Sequence, residues 1–124
     1  MKIKILKKEE IDRVIAEEII TLINSKNKVV LGLATGSSPI GVYDLLVKAY
    51  QNKEVSFKNV ISFNLDEYLN IDIENKQSYH YFMKEHLFSK VDIDINNTHF
   101  PSEENYLKYD EEIKQNGGID YQIL

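Results

Sequence analysis

The spacing of apolar residues along the chain predicts helices that alternate with short strands. From residue 9 to about residue 24, apolar side chains recur every three or four positions, which is typical of one face of an amphipathic helix. These side chains are Ile11, Val14, Ile15, Ile19, Leu22 and Ile23. The continuously apolar run Val29–Leu33 predicts a strand buried on both faces. Residues 3–6 predict a further short strand ahead of the helix.

The rest of the chain continues this alternation. A second helix is predicted from Pro39, which suits a first helical turn, to about residue 51, with Ser38 as its N-cap. Its inward side chains are expected to be Val42, Leu45, Leu46 and Ala49. The later predictions are a strand at Val60–Asn64, a loop at 65–76, a helix from 78 to about 88, loop structure at 91–101, a helix at 103–115 that stops at Gly117-Gly118, and a strand at 120–124.

Strands that alternate with helices favour an α/β fold: a doubly wound, mainly parallel sheet with helices on both faces, similar to a Rossmann domain. We expect residues 1–124 to form a single domain of this kind. The predicted strand at 120–124 is followed by no helix or turn, which is an unusual place for a parallel sheet to stop. The domain is therefore expected to be incomplete, and the chain truncated.

The charge and cysteine content narrow the classes of function. The chain has 15 Lys and Arg against 20 Asp and Glu, a formal net charge of -5, which disfavours nucleic acid and anionic membranes as partners. The absence of cysteine excludes disulfides, thiolate metal sites and a cysteine nucleophile. The amino terminus contains no apolar run of signal-peptide length, so we expect a cytoplasmic protein.

A glycine-serine segment lies between a predicted strand and a predicted helix. Thr35, Gly36, Ser37 and Ser38 follow the buried strand directly, and helical residues come next. The first amides of a helix lack partners and carry partial positive charge, so such a segment can bind an anion such as phosphate. The spacing of its glycines matches neither the dinucleotide fingerprint nor the Walker loop. The alternative is a capped helix after a tight turn.

An acidic segment follows the next predicted core strand. Asp66 and Glu67 come just after Val60–Asn64, and ligands of parallel sheets bind at the carboxyl ends of strands. A carboxylate that is partly desolvated there can act as a general base. The alternative is a solvated turn or a helix cap, where Asp is common.

The chain offers no convincing metal site. Residues 72–75 lack the regular ligand spacing and the closing Glu of a calcium loop. His80 and His86 are six residues apart and cannot form an i, i+4 pair on one helix face. His99 lies in a predicted loop. We interpret all three histidines as structural or surface residues and predict no metal.

Two segments resemble the glucosamine-6-phosphate deaminase family. Residues 31–39 (LGLATGSSP) resemble that family's phosphate loop, and residues 62–68 (SFNLDEY) resemble its F-N-M/L-D-E-Y segment. Residues 78–83 are similar to the helix that follows, and Gly118-Ile119-Asp120 to the approach to the next strand. The resemblance runs in order over essentially the whole chain and indicates the amino-terminal half of such a protein.

The resemblance implies a role for each matching position. Asp66 matches the base that removes the C2 proton of the opened sugar; Gly36, Ser37 and Ser38 match donors to the 6-phosphate; Thr35 matches a contact near the reacting carbons; Glu67 is given a supporting role. The implied reaction converts glucosamine 6-phosphate and water to fructose 6-phosphate and ammonia. It proceeds by aldose–ketose isomerisation through an enolamine, and no cofactor is implied.

The resemblance also implies groups that this sequence does not contain. In the family, the strand that begins at Ile119 leads into a glycine-rich loop carrying Asp, His and Glu for ring opening, and a basic phosphate clamp and allosteric residues follow. The sequence ends at Leu124. Because lost acid–base and electrostatic groups raise the barrier, we expect little or no deaminase activity from this chain alone. The expected partners are a sugar phosphate and either further copies of the chain, as a homo-oligomer, or the missing carboxy-terminal half.

Three other functions remain open at this stage. A 6-phosphogluconolactonase would share the broad fold, although the Asn64-Leu65-Asp66-Glu67-Tyr68 segment argues against it. A non-catalytic phosphosugar sensor, such as the effector domain of a transcription regulator, would need a DNA-binding segment and a basic face. An unspecialised α/β domain would bind no hexose phosphate.

Overall fold

The computed structural model describes residues 7–65, 73–101 and 105–123. The helices are α1 (Lys8–Ser25), α2 (Ile40–Gln51), α3 (Ile73–His86) and α4 (Tyr106–Gln115), and the strands are β1 (Val29–Leu33), β2 (Val60–Asn64), β3 (Thr98–His99) and β4 (Tyr121–Gln122). Short 3-10 turns occupy Phe88–Lys90 and Ile95–Asn97. The predicted strand at residues 3–6 lies outside the described residues.

The four described strands form one sheet in the order β3-β2-β1-β4, and every pairing is parallel. The longest pairing joins β1 to β2 over five residues, from Val29 opposite Val60 to Leu33 opposite Asn64. The parallel sheet predicted from the alternation of strands and helices is therefore confirmed. β1 and β2 lie at its centre, as their apolar sequences require.

Helices cover both faces of the sheet, but unequally. What we call the larger face packs α1, α2 and α3 on one side of the central strands. Its buried cluster includes Ala16, Ile19, Ile23, Val29, Leu31, Leu33, Val42, Tyr43, Leu46, Val47, Ala49, Val60, Met83 and Leu87. The smaller face packs α4 on the other side, and there Val30, Phe63 and Tyr109 are the buried residues of the cluster. The doubly wound arrangement is confirmed.

The buried stripe of α1 differs from the one predicted. Ile19 and Ile23 are buried as expected, whereas Ile11 and Val14 are 40% and 43% exposed. The stripe that packs on α2 and the sheet is centred on Ala16 and Ile19. At about 100° per residue, Val14 lies almost opposite that centre and Ile11 lies well to one side of it. The expectation that these two residues face inward is therefore wrong.

The start of α2 also differs from the prediction. The helix begins at Ile40, the preceding residue is Pro39 in a helical conformation, and no side chain caps the helix there. The Pro39 carbonyl instead accepts a hydrogen bond from the Tyr43 amide at 3.0 Å. Ser38 lies one position too early to act as the cap, so that expectation is wrong. The inward residues predicted for this helix are buried or half-buried, and the prediction for them is confirmed.

The elements after β2 follow the prediction with two corrections. Helix α3 begins at Ile73, five residues before the expected start at residue 78. A two-residue strand, β3, lies within the segment predicted to be loop and pairs with Ser62 and Phe63. Residues 66–72 and 102–104, which include parts of the predicted loop and of the last helix, lie outside the described residues. In the part of the chain that the structure describes, no helix has both the length and the apolarity needed to cross a membrane.

Candidate functional site

The loops after β1 and β2 start side by side at the carboxyl edge of the sheet. Leu33 and Asn64, the last residues of the two strands, are register partners. The Leu65 amide donates a hydrogen bond to the Leu33 carbonyl at 2.9 Å, so the two chains remain paired just beyond β2. This edge is where parallel sheets bind their ligands. The predicted base Asp66 and its neighbour Glu67 lie outside the described residues.

The segment Thr35 to Ser38 forms an open turn between β1 and α2. Gly36 has a φ of 103°, in the left-handed region that favours glycine. An added β-carbon at Gly36 would meet no atom within 4 Å, so the strain of a substitution there would come from the backbone alone. Gly36, Ser37 and Ser38 are exposed and Thr35 is half-buried. Three of the four predicted anion-binding residues therefore face solvent, as a ligand site requires.

The amino terminus of α2, which follows this turn, is suited to an anion. No side chain caps the helix at Pro39, and its first turn contains no acidic residue. The amides of a first turn have no partners within the helix, and the aligned peptide dipoles place partial positive charge there. A phosphate group bound at the turn would gain from both effects.

A buried tyrosine of α2 holds the start of the turn. Tyr43 is 0% exposed. Its hydroxyl donates to the Ala34 carbonyl at 2.6 Å and accepts from the Ala34 amide at 3.1 Å. Both backbone polar groups of Ala34, the residue that enters the turn, therefore have a partner on one side chain. Tyr43 was not among the inward residues predicted for this helix, and the local sequence gave no signal for its contact with Ala34.

A second contact holds the end of the turn from α1. The Lys8 ammonium donates to the Ser38 carbonyl at 2.9 Å and forms an ion pair with Asp12. The buried Asp12 carboxylate lies where a β-carbon on Gly41 would be, so α1 approaches the first turn of α2 closely only because residue 41 is glycine. The apolar periodicity of α1 gave no signal for this contact, since both of its side chains are charged.

Two polar side chains of β2 are buried without partners among the described residues. They are the Ser62 hydroxyl and both amide atoms of Asn64. Ser62 and Asn64 alternate with Phe63 along β2, so they lie on the larger face while Phe63 lies on the smaller one. An amide at the end of an otherwise apolar strand run is the signal in the sequence that could have identified Asn64.

The histidines pack on aromatic rings. The ring centroids are 4.5 Å apart for His99 and Phe63, 3.8 Å for His80 and Phe100, and 4.4 Å for His86 and Phe82. Burial lowers the pKa of His80 and of His99, and Glu112 partly offsets the effect at His99. These contacts agree with a structural interpretation of the histidines. Within residues 7–65, 73–101 and 105–123, no three His, Cys, Asp or Glu side chains are grouped as a metal ion requires.

Several named proteins are similar to this chain in sequence or in fold. A glucosamine-6-phosphate deaminase of Mycoplasma mycoides subsp. mycoides SC is 52% identical over 128 aligned residues, which cover 100% of this chain and 52% of the relative. A solved monomeric glucosamine-6-phosphate deaminase is 30% identical to this chain with a TM-score of 0.85. The match covers 98% of this chain and 54% of the deaminase chain. The 6-phosphogluconolactonase of Thermotoga maritima is 26% identical with a TM-score of 0.65.

The chain spans about half the length of the curated relatives it matches, such as the 52% of the Mycoplasma mycoides protein. The family described as glucosamine-6-phosphate isomerases/6-phosphogluconolactonase matches residues 7–122, which is nearly the whole sequence. The parallel sheet, the turn before α2 and the identity to deaminases agree with that match. This chain belongs to the glucosamine-6-phosphate isomerase/6-phosphogluconolactonase family.

Proposed function

We propose that this chain supplies the phosphate-binding and proton-abstracting half of a glucosamine-6-phosphate deaminase. The reaction converts glucosamine 6-phosphate and water to fructose 6-phosphate and ammonia. The observation that carries the proposal is the adjacency of the turn before α2 and the end of β2, where Leu33 and Asn64 are partners. The identity of 52% to a deaminase supports this choice within the family.

In this proposal the turn before α2 binds the 6-phosphate. The backbone amides and hydroxyls of Gly36, Ser37 and Ser38 donate to the phosphate oxygens. The uncapped helix terminus adds its dipole, and the exposure of these three residues leaves room for the ligand. Thr35, which is half-buried one residue closer to the sheet, contacts the sugar near its reacting carbons.

Asp66 is proposed as the base. It comes two residues after Asn64 in the sequence, at the carboxyl end of a central strand. Its carboxylate removes the C2 proton of the opened sugar, the resulting enolamine is protonated at C1, and hydrolysis at C2 then releases ammonia. Glu67 has a supporting role. Proton transfers, the addition of water to the C2 imine and the departure of ammonia account for every step, so the proposal includes no cofactor and no metal.

The 124-residue chain by itself is proposed to have little or no deaminase activity. The family's ring-opening Asp, His and Glu and its basic phosphate clamp follow the position equivalent to Leu124. Without them the ring opens slowly and the phosphate charge is neutralised only in part, and both losses raise the barrier. The proposal further includes a cytoplasmic location and a role in amino-sugar catabolism, with a sugar phosphate as the partner.

A hybrid protein tests the proposal directly. Residues 1–124 of this chain are joined to the carboxy-terminal half of the Mycoplasma mycoides relative, and ammonia release from glucosamine 6-phosphate is measured. The hybrid should be active, and Asp66→Asn should lower kcat by about a hundredfold to ten-thousandfold, the usual contribution of a general base. Asp72→Asn removes a nearby carboxylate from the same segment and should leave kcat unchanged. Equal activity of the two variants would exclude Asp66 as the base.

The phosphate site has its own test. Calorimetry compares the binding of fructose 6-phosphate with that of fructose, to the wild-type hybrid, to Ser37→Ala and to Ser25→Ala. Ser37→Ala should weaken binding of the phosphorylated sugar only, because its hydroxyl is proposed to contact the phosphate. Ser25→Ala, at the end of α1, serves as the control and should change neither.

The other candidate functions predict different outcomes of these assays. Hydrolysis of 6-phosphogluconolactone without ammonia release, by the hybrid, would favour the lactonase. Binding of hexose phosphates without turnover, unaffected by Asp66→Asn, would favour a sensor. The lower TM-score and lower identity of the lactonase structure rank it second.

A further inference from the structure

Two fully buried tyrosines hold the carboxyl ends of the central strands, one from each face of the sheet. Tyr43 of α2 bonds to Ala34 just after β1, on the larger face. Tyr109 of α4 bonds to the Asn64 carbonyl at 2.9 Å and to the His99 carbonyl at 3.1 Å, on the smaller face. The two side chains are 0% and 1% exposed. The two side chains are almost equally buried, but they hold different segments of the chain.

Tyr43 is bonded to the chain on both sides of the turn. Its hydroxyl holds the amide and the carbonyl of Ala34, which precedes Thr35. Its own backbone amide donates to the Pro39 carbonyl, which follows Ser38, at 3.0 Å. One residue therefore fixes the separation of the two ends of the segment Thr35 to Ser38. The four residues between those bonds form a closed loop.

We propose that Tyr43 is a positioning residue for this loop, which sets the direction of the Gly36, Ser37 and Ser38 amides toward a bound phosphate monoester. The inference rests on the proposed phosphate-binding function of the loop. Without the hydroxyl, the Ala34 amide and the Ala34 carbonyl both lose this partner, and the two peptide groups that contain them can rotate. Since Gly36 already has the freest backbone of the loop, the rotation would be transmitted to the donor amides. Binding depends on such preorganisation of donors.

A purely structural role makes a different prediction. If Tyr43 only filled the core, its replacement by Phe would lower stability and leave the affinity for phosphate unchanged. Tyr109 provides the comparison, because it is equally buried and its hydroxyl also accounts for two hydrogen bonds to backbone atoms. Its bonds join β2 to β3, on the face of the sheet opposite α2.

The experiment compares Tyr43→Phe with Tyr109→Phe in the hybrid protein that joins residues 1–124 to the carboxy-terminal half of the Mycoplasma mycoides relative. Fructose 6-phosphate is titrated while the backbone amide resonances are followed by NMR, and Tm is measured for each variant. Tyr43→Phe should raise the Kd about tenfold, which corresponds to the loss of one hydrogen bond of ordinary strength. Both variants should lower Tm by a similar amount, because each loses the hydrogen bonds of one buried hydroxyl. Tyr109→Phe should leave the Kd within about twofold of wild type. Equal Kd values for the two variants would overturn the proposal.

A ligand-free measurement separates this inference from the proposed function. Order parameters of the Gly36, Ser37 and Ser38 amides should fall in Tyr43→Phe and stay unchanged in Tyr109→Phe. If the wild-type hybrid binds no fructose 6-phosphate, the phosphate-binding function fails, and the order parameters still decide whether Tyr43 positions the loop. Placing 4-aminophenylalanine at position 43, which can again donate and accept, should restore the order of the loop. Unchanged order parameters in Tyr43→Phe would refute the positioning role.

Discussion

The two faces of the sheet differ in how much of the core they contain. On the larger face, three helices bury a continuous cluster that includes the fully buried Tyr43, Leu46 and Met83. On the smaller face, α4 buries Tyr109 against Phe63 and Val30, and its other apolar contacts are partly exposed. Because hydrophobic stabilisation scales with the apolar area removed from water, most of the stability of the described fold resides on the larger face.

This difference matters for the candidate site. The turn before α2 is held by Tyr43 and Lys8, which belong to helices of the larger face. The end of β2 is held by Tyr109 from the smaller face. A binding loop gains precision when rigid, well-packed elements support it. We therefore expect the turn before α2 to be more firmly held than the end of β2.

The largest effect is expected in the core of the larger face. Leu46→Ala removes a fully buried side chain of α2 and leaves a cavity against α1 and the sheet, so it should lower the free energy of unfolding by about 2–5 kcal/mol. Urea unfolding measures the change. A loss below about 1 kcal/mol would show that the larger face repacks easily, and would contradict its assigned role in stability.

The next effect concerns the close approach of α1 to α2. Gly41→Ala would place a β-carbon on the position of the Asp12 carboxylate, which is buried and paired with Lys8. The helices must separate or the carboxylate must move, at a cost of about 1–3 kcal/mol. Combining it with Asp12→Ala should recover part of the loss, because the smaller side chain makes room. Additive losses in the double variant would indicate another source of strain.

A smaller effect is expected on the smaller face. Ile113 of α4 is only partly buried against Phe63 and its neighbours, so Ile113→Ala should lower the free energy of unfolding by about 1 kcal/mol, which is below the range of about 2–5 kcal/mol for a fully buried aliphatic side chain. Urea unfolding again supplies the measurement. A loss as large as that of Leu46→Ala would break the comparison of the two faces.

The smallest effect is a dependence of stability on pH at the same face. Burial holds the pKa of His99 below its usual value of about 6.5, so the unfolded chain binds a proton more readily than the folded one. The stability that His99 contributes is complete above that value and is lost as the pH falls below it, through the folded pKa. His99→Phe keeps a ring against Phe63 and removes the titration.

The pH effect is measured as the fall in Tm between about pH 7.5 and about pH 5.5, on either side of the ordinary histidine pKa. The fall should be smaller in His99→Phe than in the wild-type chain. His80, whose pKa is also lowered by burial, contributes in the same direction, and His80→Phe reveals its share. A larger fall in His99→Phe would mean that the sign assigned to His99 is wrong.

Much of the central architecture was predictable because it depends on residues close in sequence. β1 and β2 begin and end at the residues predicted for them. The two-residue strand β3 was missed because it is too short to show any alternation, and it exists only where β2 provides a partner. The exposure of Ile11 and Val14 was missed for a related reason. Periodicity defines an apolar stripe on a helix but not the width of the surface that covers it.

The candidate site was also predictable only in part from the sequence. The glycine and serines before α2, and the acidic segment after β2, were identified from their positions at the ends of predicted strands. The structure adds that β1 and β2 are neighbours in register, so that the two segments start together. Tyr43 and Lys8 could not be assigned to the turn beforehand. Their side chains contact backbone atoms 9 and 30 residues away in the chain, and no local pattern records such contacts.

By itself, the sequence determined the order of the helices and of the strands other than β3, the residue types of the segments between them and the family. Tertiary structure alone decided which strands are neighbours, which helix faces are covered and which side chains hold the turn before α2. The physical reason is the range of the interactions. Propensity and periodicity act within a few residues, whereas packing and backbone anchoring join surfaces that meet only after the chain has folded.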